Sequence, residues 1–376
     1  MVRGIVGSIL KILQVYYEPL LSGQTTHVQS LSKGLVLRGH DVTVVLPDIL
    51  RAISSEYMDA GVKVVSLPMR KLFWPMKSII AFLNLLQRER YEIVHVHSQE
   101  AGVMARCLSW LGRAQKIFYT PQTIDIRQSQ WHNLYILLEC KLALITDRIF
   151  SVNQADAKRM IKWGIPAEKV RVVPNGIELS QFENLQDRDD ICRRLGLNPD
   201  CPVIMQVGRL SPQKDPEMFL KGARYVLSGI TEAQLVWIGE GPLFMEVKSE
   251  VESFRLQDKI HLVGRINQAY HCLAAADVVT STSRWEGLPY SILEAMACSK
   301  PVVSTAVNGC SEVVINGKTG YLVEVGDAFG WAKSIIHLIA DPQQAQLMGS
   351  AGKRLVEEKY SLSMMLSQIE QAYSDN

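Results

Sequence analysis

No stretch of this chain approaches the roughly 20 consecutive apolar residues that a membrane-spanning helix requires. Cys-x-x-Cys spacing is also missing. The seven cysteines, at 107, 140, 192, 201, 272, 298 and 310, are scattered and odd in number. That argues against a disulfide framework or a zinc site and fits a reducing, cytoplasmic setting. The phosphate loop Gly-x-x-x-x-Gly-Lys-[Ser/Thr] does not occur, which disfavours ordinary ATP hydrolysis. Short-period repeats and low-complexity tracts are absent too. Residues 1–10 are mildly apolar with one Arg but lack a signal-peptide core and cleavage site. They read as a short helix, a membrane-touching tail or a mis-assigned start.

What is present describes a soluble globular protein: 47% hydrophobic and 21% charged residues over a length of 376. That length exceeds one ordinary core, so two domains are expected. The net charge is only +2, but residues 1–180 hold 22 Lys and Arg against 14 Asp and Glu, and the remainder 18 against 24. A basic N-terminal half suits an anionic partner or surface on that side, set against chance scatter.

Strand-like and helical runs alternate. Lys11-Ile-Leu-Gln-Val-Tyr-Tyr17 reads as a buried strand, Val28, Leu31 and Leu35 recur at helical spacing, and Asp41-Val-Thr-Val-Val-Leu46 is the next strand. This βαβ unit implies a parallel sheet. Further strands are expected at 62–66, 92–97, 116–120, 148–152 and 170–173. The polar stretch 178–200 reads as a linker with one short helix. A second series of strands follows at 203–207, 234–238, 259–263, 277–282 and 301–305. A final helix near 362–373 can pack on either domain.

Three segments carry chemistry. Gly208-Arg-Leu-Ser-Pro-Gln-Lys-Asp-Pro216 follows a strand and opens a helix, with Asp215 as N-cap and Pro216 in the first turn. Arg209 and Lys214 at a strand's C-terminal end suit a diphosphate without any metal, against the alternative of two solvated cations. Glu286-Gly-Leu-Pro-Tyr-Ser-Ile-Leu-Glu294 joins a strand to an apolar helix. Its two carboxylates can hold sugar or ribose hydroxyls. Equally, Ser291 and Glu294 fit a capping box, and Glu286 fits a solvated loop acid. On the expected strand at 92–97, His95 and His97 share a face, with His97 able to emerge at the strand end. Nearby acids do not complete a metal site. Asp187-Arg-Asp189 lies in the polar stretch and reads as solvated charge. Gly23, in the first loop, permits close backbone approach to a ligand or simply a turn.

Taken in order, several segments resemble the retaining glycosyltransferases of family 4, which share a two-Rossmann-domain fold called GT-B. They are Ser22-Gly23 with His27-Val28, Leu37-Arg-Gly-His40, His95-Val-His97, Arg171-Val-Val-Pro-Asn-Gly-Ile177, Gly208-Arg-Leu210 with Lys214-Asp-Pro216, Glu286 to Ala297, Gly309 with Glu312-Val-Val314, and Asn316-Gly-Lys-Thr-Gly-Tyr321. The resemblance covers nearly the whole chain. It implies an α/β architecture of two parallel sheets facing across a cleft. The expected domains are 1–180 on the acceptor side, 181–358 binding the nucleotide sugar, and 359–376 as a helix crossing back.

The same resemblance implies roles. Arg209 and Lys214 hold the donor diphosphate and stabilise the leaving group. Glu294 binds the ribose, and Glu286 binds donor-sugar hydroxyls and counts with His97 as catalytic. Gly23 approaches the phosphates, Gly264, Arg265 and Ile266 contact the base, and Gly287, Leu288 and Pro289 line the donor site. The chain departs from the family's usual pattern at Ser22, where Gly is frequent, and at Gln122 and Asn153.

The expected partners are a nucleotide-sugar donor, UDP- rather than GDP-linked, and a sugar or lipid-linked acceptor. No cofactor, metal or nucleic acid is expected. The run Arg70-Lys-Leu-Phe-Trp-Pro-Met-Lys77 with the apolar 79–86 can rest on an anionic membrane, peripherally, or serve as an ordinary sheet-covering helix. Competing functions are a nucleotide-sugar epimerase, transfer to a small soluble acceptor, and a non-catalytic nucleotide-binding protein.

Overall fold

The computed structural model describes residues 9–18, 22–70, 74–124 and 132–375. Residues 1–8, part of the first loop (19–21) and part of the basic run (71–73) lie outside them, and with them the expectations made there. The chain packs as two compact units, Met1–Gly176 with Leu362–Asn376, and Ile177–Ser361.

The first unit alternates strands and helices: β1 (Lys11–Tyr16), α1 (Gly23–Leu37), β2 (Asp41–Pro47), α2 (Ser54–Met58), β3 (Lys63–Leu67), α3 (Met76–Glu89) and β4 (Ile93–His97). Then come α4 (Gln99–Leu111), β5 (Lys116–Thr120), α5 (His132–Leu142), β6 (Arg148–Ser151), α6 (Gln154–Lys162) and β7 (Val170–Val172). All seven strands are parallel, in the order β3-β2-β1-β4-β5-β6-β7. Such strands are buried on both faces, which is why they read as unbroken apolar runs rather than alternating ones.

The second unit begins with α7 (Arg188–Leu195), β8 (Val203–Val207), α8 (Pro216–Gly229), β9 (Gln234–Ile238), α9 (Phe244–Ser253), β10 (Ile260–Gly264) and α10 (Tyr270–Leu273). It continues through β11 (Val278–Ser281), α11 (Tyr290–Ala297), β12 (Val302–Thr305), α12 (Asn308–Val313), β13 (Gly320–Val323), α13 (Ala328–Ala340) and α14 (Pro342–Lys359). Its six-stranded sheet is also parallel, ordered β10-β9-β8-β11-β12-β13. In both units the strand order reverses beside the unit's first strand, leaving a crevice there at the carboxyl ends.

Three expectations change. The stretch 178–200 is not a free linker. Its helix α7 buries Ile191 and Cys192 completely, and Arg188 clamps the Asp277 carboxylate with two bonds of 2.9 Å. Asp187 is not idle charge either, because it caps α7 by accepting from the Asp189 N–H at 2.8 Å. Strand β13 escaped notice. It is four residues long and starts at Gly320, where a Cβ would lie 2.1 Å from the Val302 carbonyl oxygen.

The last helix, α15 (Leu362–Ser374), belongs to the first unit. Its Leu362, Met365, Leu366, Ile369 and Tyr373 join the core formed by β1, β2 and α1. Close approach needs Gly34 on α1, where a Cβ would meet Leu366 Cδ1 at 2.5 Å. Polar contacts fix the register, with Glu370 bridging Arg38 and His40. On the opposite face of that sheet, α3 turns Phe82 and Leu86 inward, and Trp74 is buried with them. The apolar 79–86 run is therefore mainly a sheet-covering helix. Among the described residues no helix is long and apolar enough to cross a membrane.

Candidate active site

In the second unit, the crevice lies between β8 and β11. The chain leaves β8 at Gly208 and reaches α8 through a single turn of 3-10 helix, Pro212–Lys214. The connection from Gly208 to that turn carries both cations, Arg209 and Lys214. The Lys214 stem lies over Gly208, whose Cβ would be 3.1 Å from the Lys214 side chain. Below it the neighbouring Gly239 adopts φ +146, and a Cβ there would strike the Gly208 carbonyl oxygen at 2.1 Å. Only glycine lets β9 support the turn so closely.

The turn after β11 is sewn to the turn after β8. The Thr282 hydroxyl donates to the Lys214 carbonyl at 2.7 Å, the Arg284 N–H to the Gln213 carbonyl at 2.8 Å, and the Gln213 side chain to the Trp285 carbonyl at 3.0 Å. Asp215 caps α8 by accepting from the Met218 N–H at 3.2 Å. The same carboxylate takes two bonds from Arg284, at 2.8 and 3.0 Å. These bonds hold Asp215 in its left-handed conformation, φ 50.

The decisive pair spans both turns. Lys214 Nζ forms an ion pair with Glu286 Oε1, which also accepts from the Ser283 hydroxyl at 2.7 Å. Glu286 is buried, so it is not a solvated loop acid. Both of these bonds use Oε1. The following Gly287-Leu288-Pro289 turn is packed from beneath by Gly309, where a Cβ would lie 1.6 Å from the Gly287 carbonyl oxygen.

Glu294 sits one and a half turns into α11. The capping-box reading fails: the N-cap is Pro289, and no side chain caps the helix. Among the described residues the Glu294 carboxylate has neither a hydrogen bond nor an ion pair. It is half-buried, and desolvation raises its pKa from 4.5 to about 7. An unpaired, partly dehydrated carboxylate on a helix that starts at the crevice is a hydroxyl acceptor without an internal donor.

Gly264, Arg265 and Ile266 lie at the same carboxyl edge, at the end of β10 and two strands from β8. Gly264 takes φ +72 and its carbonyl accepts from the Gly239 N–H at 2.8 Å. Arg265 is exposed.

The first unit places its two sequence candidates at its own crevice, Gly23 past the loop after β1 and His97 at the end of β4, where Tyr16 and His97 are register partners. Ser22 caps α1 in a capping box with Thr25, and Gly23 is exposed in the first turn. His97 does not emerge from the strand end as expected. It is fully buried, with its ring centre 4.0 Å from that of His95 and 5.3 Å from that of His27, both rings tilted against it.

A polar chain runs through these rings. Gln14 Nε2 donates to Tyr373 Oη at 3.4 Å, leaving its Oε1 to accept from His97 Nε2 at 2.6 Å. Tyr373 Oη also meets His95 Nδ1 at 2.7 Å, and His95 Nε2 meets the Thr120 hydroxyl at 2.7 Å. An amide oxygen can only accept, so the His97 proton is on Nε2 and Nδ1 carries the lone pair. Nδ1 is buried without a partner among the described residues. Burial holds His95 and His97 well below the usual imidazole range and His27 at about 4, so all three are neutral at pH 7.

Sequence reading missed Ser283, Arg284, Gln213 and Thr282, which fix the two cationic and acidic turns. Ser283 and Arg284 border Glu286, but the Arg284 partners Asp215 and Gln213 lie on the other turn, far away in sequence. Among the described residues, no three His, Cys, Asp or Glu side chains gather as a metal-holding group.

Two doubly wound parallel sheets in one chain define a GT-B-type α/β protein, and solved structures share that fold. The Anabaena HepE structure in complex with UDP-glucose matches with a TM-score of 0.85 and 21% identity, covering 97% of this chain and 99% of that one. Sucrose-phosphate synthase from Thermosynechococcus elongatus matches with a TM-score of 0.82 and 22% identity, over 96% and 98%. The family "Glycosyltransferase Family 4" matches residues 21–181, and "Glycosyl transferases group 1" matches residues 187–355. The chain belongs to these group 1, family 4 glycosyltransferases.

Among curated relatives, an Escherichia coli UDP-Gal:alpha-D-GlcNAc-diphosphoundecaprenol alpha-1,3-galactosyltransferase is 27% identical over 98% of this chain and 97% of its own length. The Bacillus anthracis N-acetyl-alpha-D-glucosaminyl L-malate synthase is 23% identical over 95% of each.

Proposed function

We propose that the protein is a retaining glycosyltransferase. It moves a hexosyl or N-acetylhexosaminyl group from a UDP-sugar to a lipid-linked acceptor in surface polysaccharide or glycolipid synthesis. The observation that carries this reading is the Lys214–Glu286 ion pair bridging the two crevice turns, with Arg209 on the same loop. A diphosphate seated there meets two cations, while Glu286 Oε2 is left to accept a hydroxyl of the attached sugar. Glu294 accepts the ribose hydroxyls, and the Gly264–Ile266 edge takes the base. The name of the Escherichia coli relative supports both a UDP donor and a lipid-diphosphate acceptor. The UDP-glucose complex of HepE supports the donor.

In the reaction, the bond from the anomeric carbon to the β-phosphate oxygen breaks, and a bond to the acceptor oxygen forms on the same face. The acceptor proton passes to the departing phosphate. The sugar becomes oxocarbenium-like, so the charge gathering on the diphosphate is the main target for stabilisation. Lys214 and Arg209 supply that stabilisation from fixed positions, with no metal ion needed. Glu286 holds Lys214 out of bulk water before the donor arrives.

The test is incubation of the protein with a panel of nucleotide sugars, with and without lipid-linked and soluble acceptors. Nucleotide release and the anomeric configuration of the product are followed. Transfer with retention, unchanged by a chelator, is the expected result. An inverted product or chelator-sensitive turnover refutes the mechanism. Donor conversion without an acceptor makes the protein an epimerase, and nucleotide binding without turnover makes it a binding protein. Full turnover on a soluble sugar acceptor removes the lipid-linked assignment.

A further inference from the structure

Three of the four leucines in α5 face solvent rather than the sheet. Leu134, Leu137 and Leu138 are exposed, and Leu144, just past the helix, is 69% exposed. The spacing i, i+3, i+4 places the first three on one side. The end of the neighbouring α4 adds Trp110 and Leu111, at 57% and 62%. These two helices are clamped in fixed relation. Arg106 of α4 donates to both carboxylate oxygens of Glu139 on α5, at 2.7 and 2.8 Å, fully buried and with its guanidinium 3.8 Å from the Tyr119 ring centre. Five large apolar side chains on two locked helices, with Leu144 just beyond them, are more than scattered surface hydrophobics.

The exposed charges described on these helices are cationic. Arg113 and Lys141 are exposed at the patch, and α3, beside α4, exposes Lys77 and Arg88, with Arg90 at its end. Of the described carboxylates on these helices, Glu139 is buried on Arg106, and Glu89 is held by Lys11 at 2.8 Å and Arg88 at 3.4 Å. Among the described side chains of α3, α4 and α5 no other carboxylate offsets the outward positive charge, and past α5 the exposed Asp147 is engaged by the Ile117 N–H at 2.6 Å. A second copy of the chain docking symmetrically through this face would bring one set of Arg113 and Lys141 cations up to the other.

We propose that the α4–α5 surface seats the protein on an anionic lipid bilayer. The leucines and Trp110 enter the interface, and Arg113 and Lys141 lie at the headgroup phosphates. The α3 run, for which the sequence offered either a membrane contact or a sheet-covering helix, contributes cations, while most of its apolar residues cover the sheet. The inference rests on the transferase reading only for its purpose, since a lipid-linked acceptor is met at a bilayer.

Full-length protein is sedimented with vesicles of phosphatidylcholine alone and of equal parts phosphatidylcholine and phosphatidylglycerol. Binding to the mixed vesicles, weakened by salt, is expected. Leu134→Gln, Leu137→Gln and Leu138→Gln together should weaken it by at least about tenfold. Arg113→Gln and Lys141→Gln should each weaken it about fivefold on the mixed vesicles and leave neutral vesicles unchanged. The proposal is overturned if the wild type ignores the anionic vesicles, or if the charge variants bind them as wild type does. It is also overturned if the wild type is a dimer in solution and the leucine variant a monomer. The charge variants decide the matter even if the leucine variant does not fold. UDP binding, measured alongside, should be unchanged in every folded variant. Loss of UDP binding by the wild type itself would count against the donor assignment and leave the vesicle result standing.

Discussion

Glu294→Gln should make the protein more stable and a poorer nucleotide binder at the same time. Burial raises the Glu294 pKa from 4.5 to about 7 with no charged partner, so the folded state prefers the neutral acid. The stability tied to that proton is fully present below the unfolded pKa and is lost as pH rises through about 7. Glutamine is neutral throughout. It should therefore come within about 1 kcal/mol of wild type at pH 5 and exceed it by about 1–3 kcal/mol at pH 8, the upper end set by the pKa shift and the lower by partial exposure.

Binding has the opposite sign, because ribose hydroxyls donate best to the ionised carboxylate. With a pKa of about 7 the ionised fraction falls from about nine-tenths at pH 8 to about one-tenth at pH 6. UDP affinity in wild type should drop about tenfold over that range beyond any change in the variant, which shares the titration of UDP itself. At pH 8 the variant should bind about 10–100-fold more weakly, the worth of hydrogen bonds to a charged group. Thermal melts at the two pH values and calorimetric titration with UDP check both halves. Identical melting of variant and wild type at pH 8, or an equal pH slope in the two proteins, refutes the reasoning. A fall in stability would instead revive a capping role.

Other perturbations separate chemistry from scaffold. Lys214→Ala and Arg209→Ala should each lower kcat by about 10²–10³ in a transferase assay, because each removes charge stabilisation of the leaving diphosphate. Gly309→Ala should cost at least about 2–3 kcal/mol in denaturant unfolding and displace the Gly287–Pro289 turn, since its Cβ would lie 1.6 Å from a backbone oxygen. Tyr373→Phe should cost about 1 kcal/mol by breaking the bond to His95. It should leave the Nε2-protonated form of His97 in place, readable from ring-nitrogen chemical shifts, because Gln14 still faces it.

Much of the fold was legible in the chain because parallel strands buried on both faces are written as short apolar runs. Twelve of the strands in the two sheets coincide with such runs. The thirteenth, at Gly320, did not announce itself, since its glycine is there for contact with Val302 rather than for strand propensity. The stretch 178–200 read as a linker with one short helix because its composition is polar, yet Arg188 of that helix finds Asp277 only in three dimensions.

The candidate site divides the same way. Local sequence by itself determined which turns carry Arg209, Lys214, Glu286 and Glu294, and the Asp215-Pro216 start of α8, because caps and strand-end turns are set by neighbours a few residues apart. The tertiary structure alone decided what those side chains do. It pairs Lys214 with Glu286 and Asp215 with Arg284 across turns about 70 residues apart. It also moves the start of α11 to Tyr290, which strips Glu294 of its capping role, and it buries His97 behind Gln14. Burial and long-range pairing depend on how sheets and helices stack, and no window of neighbouring residues contains that information.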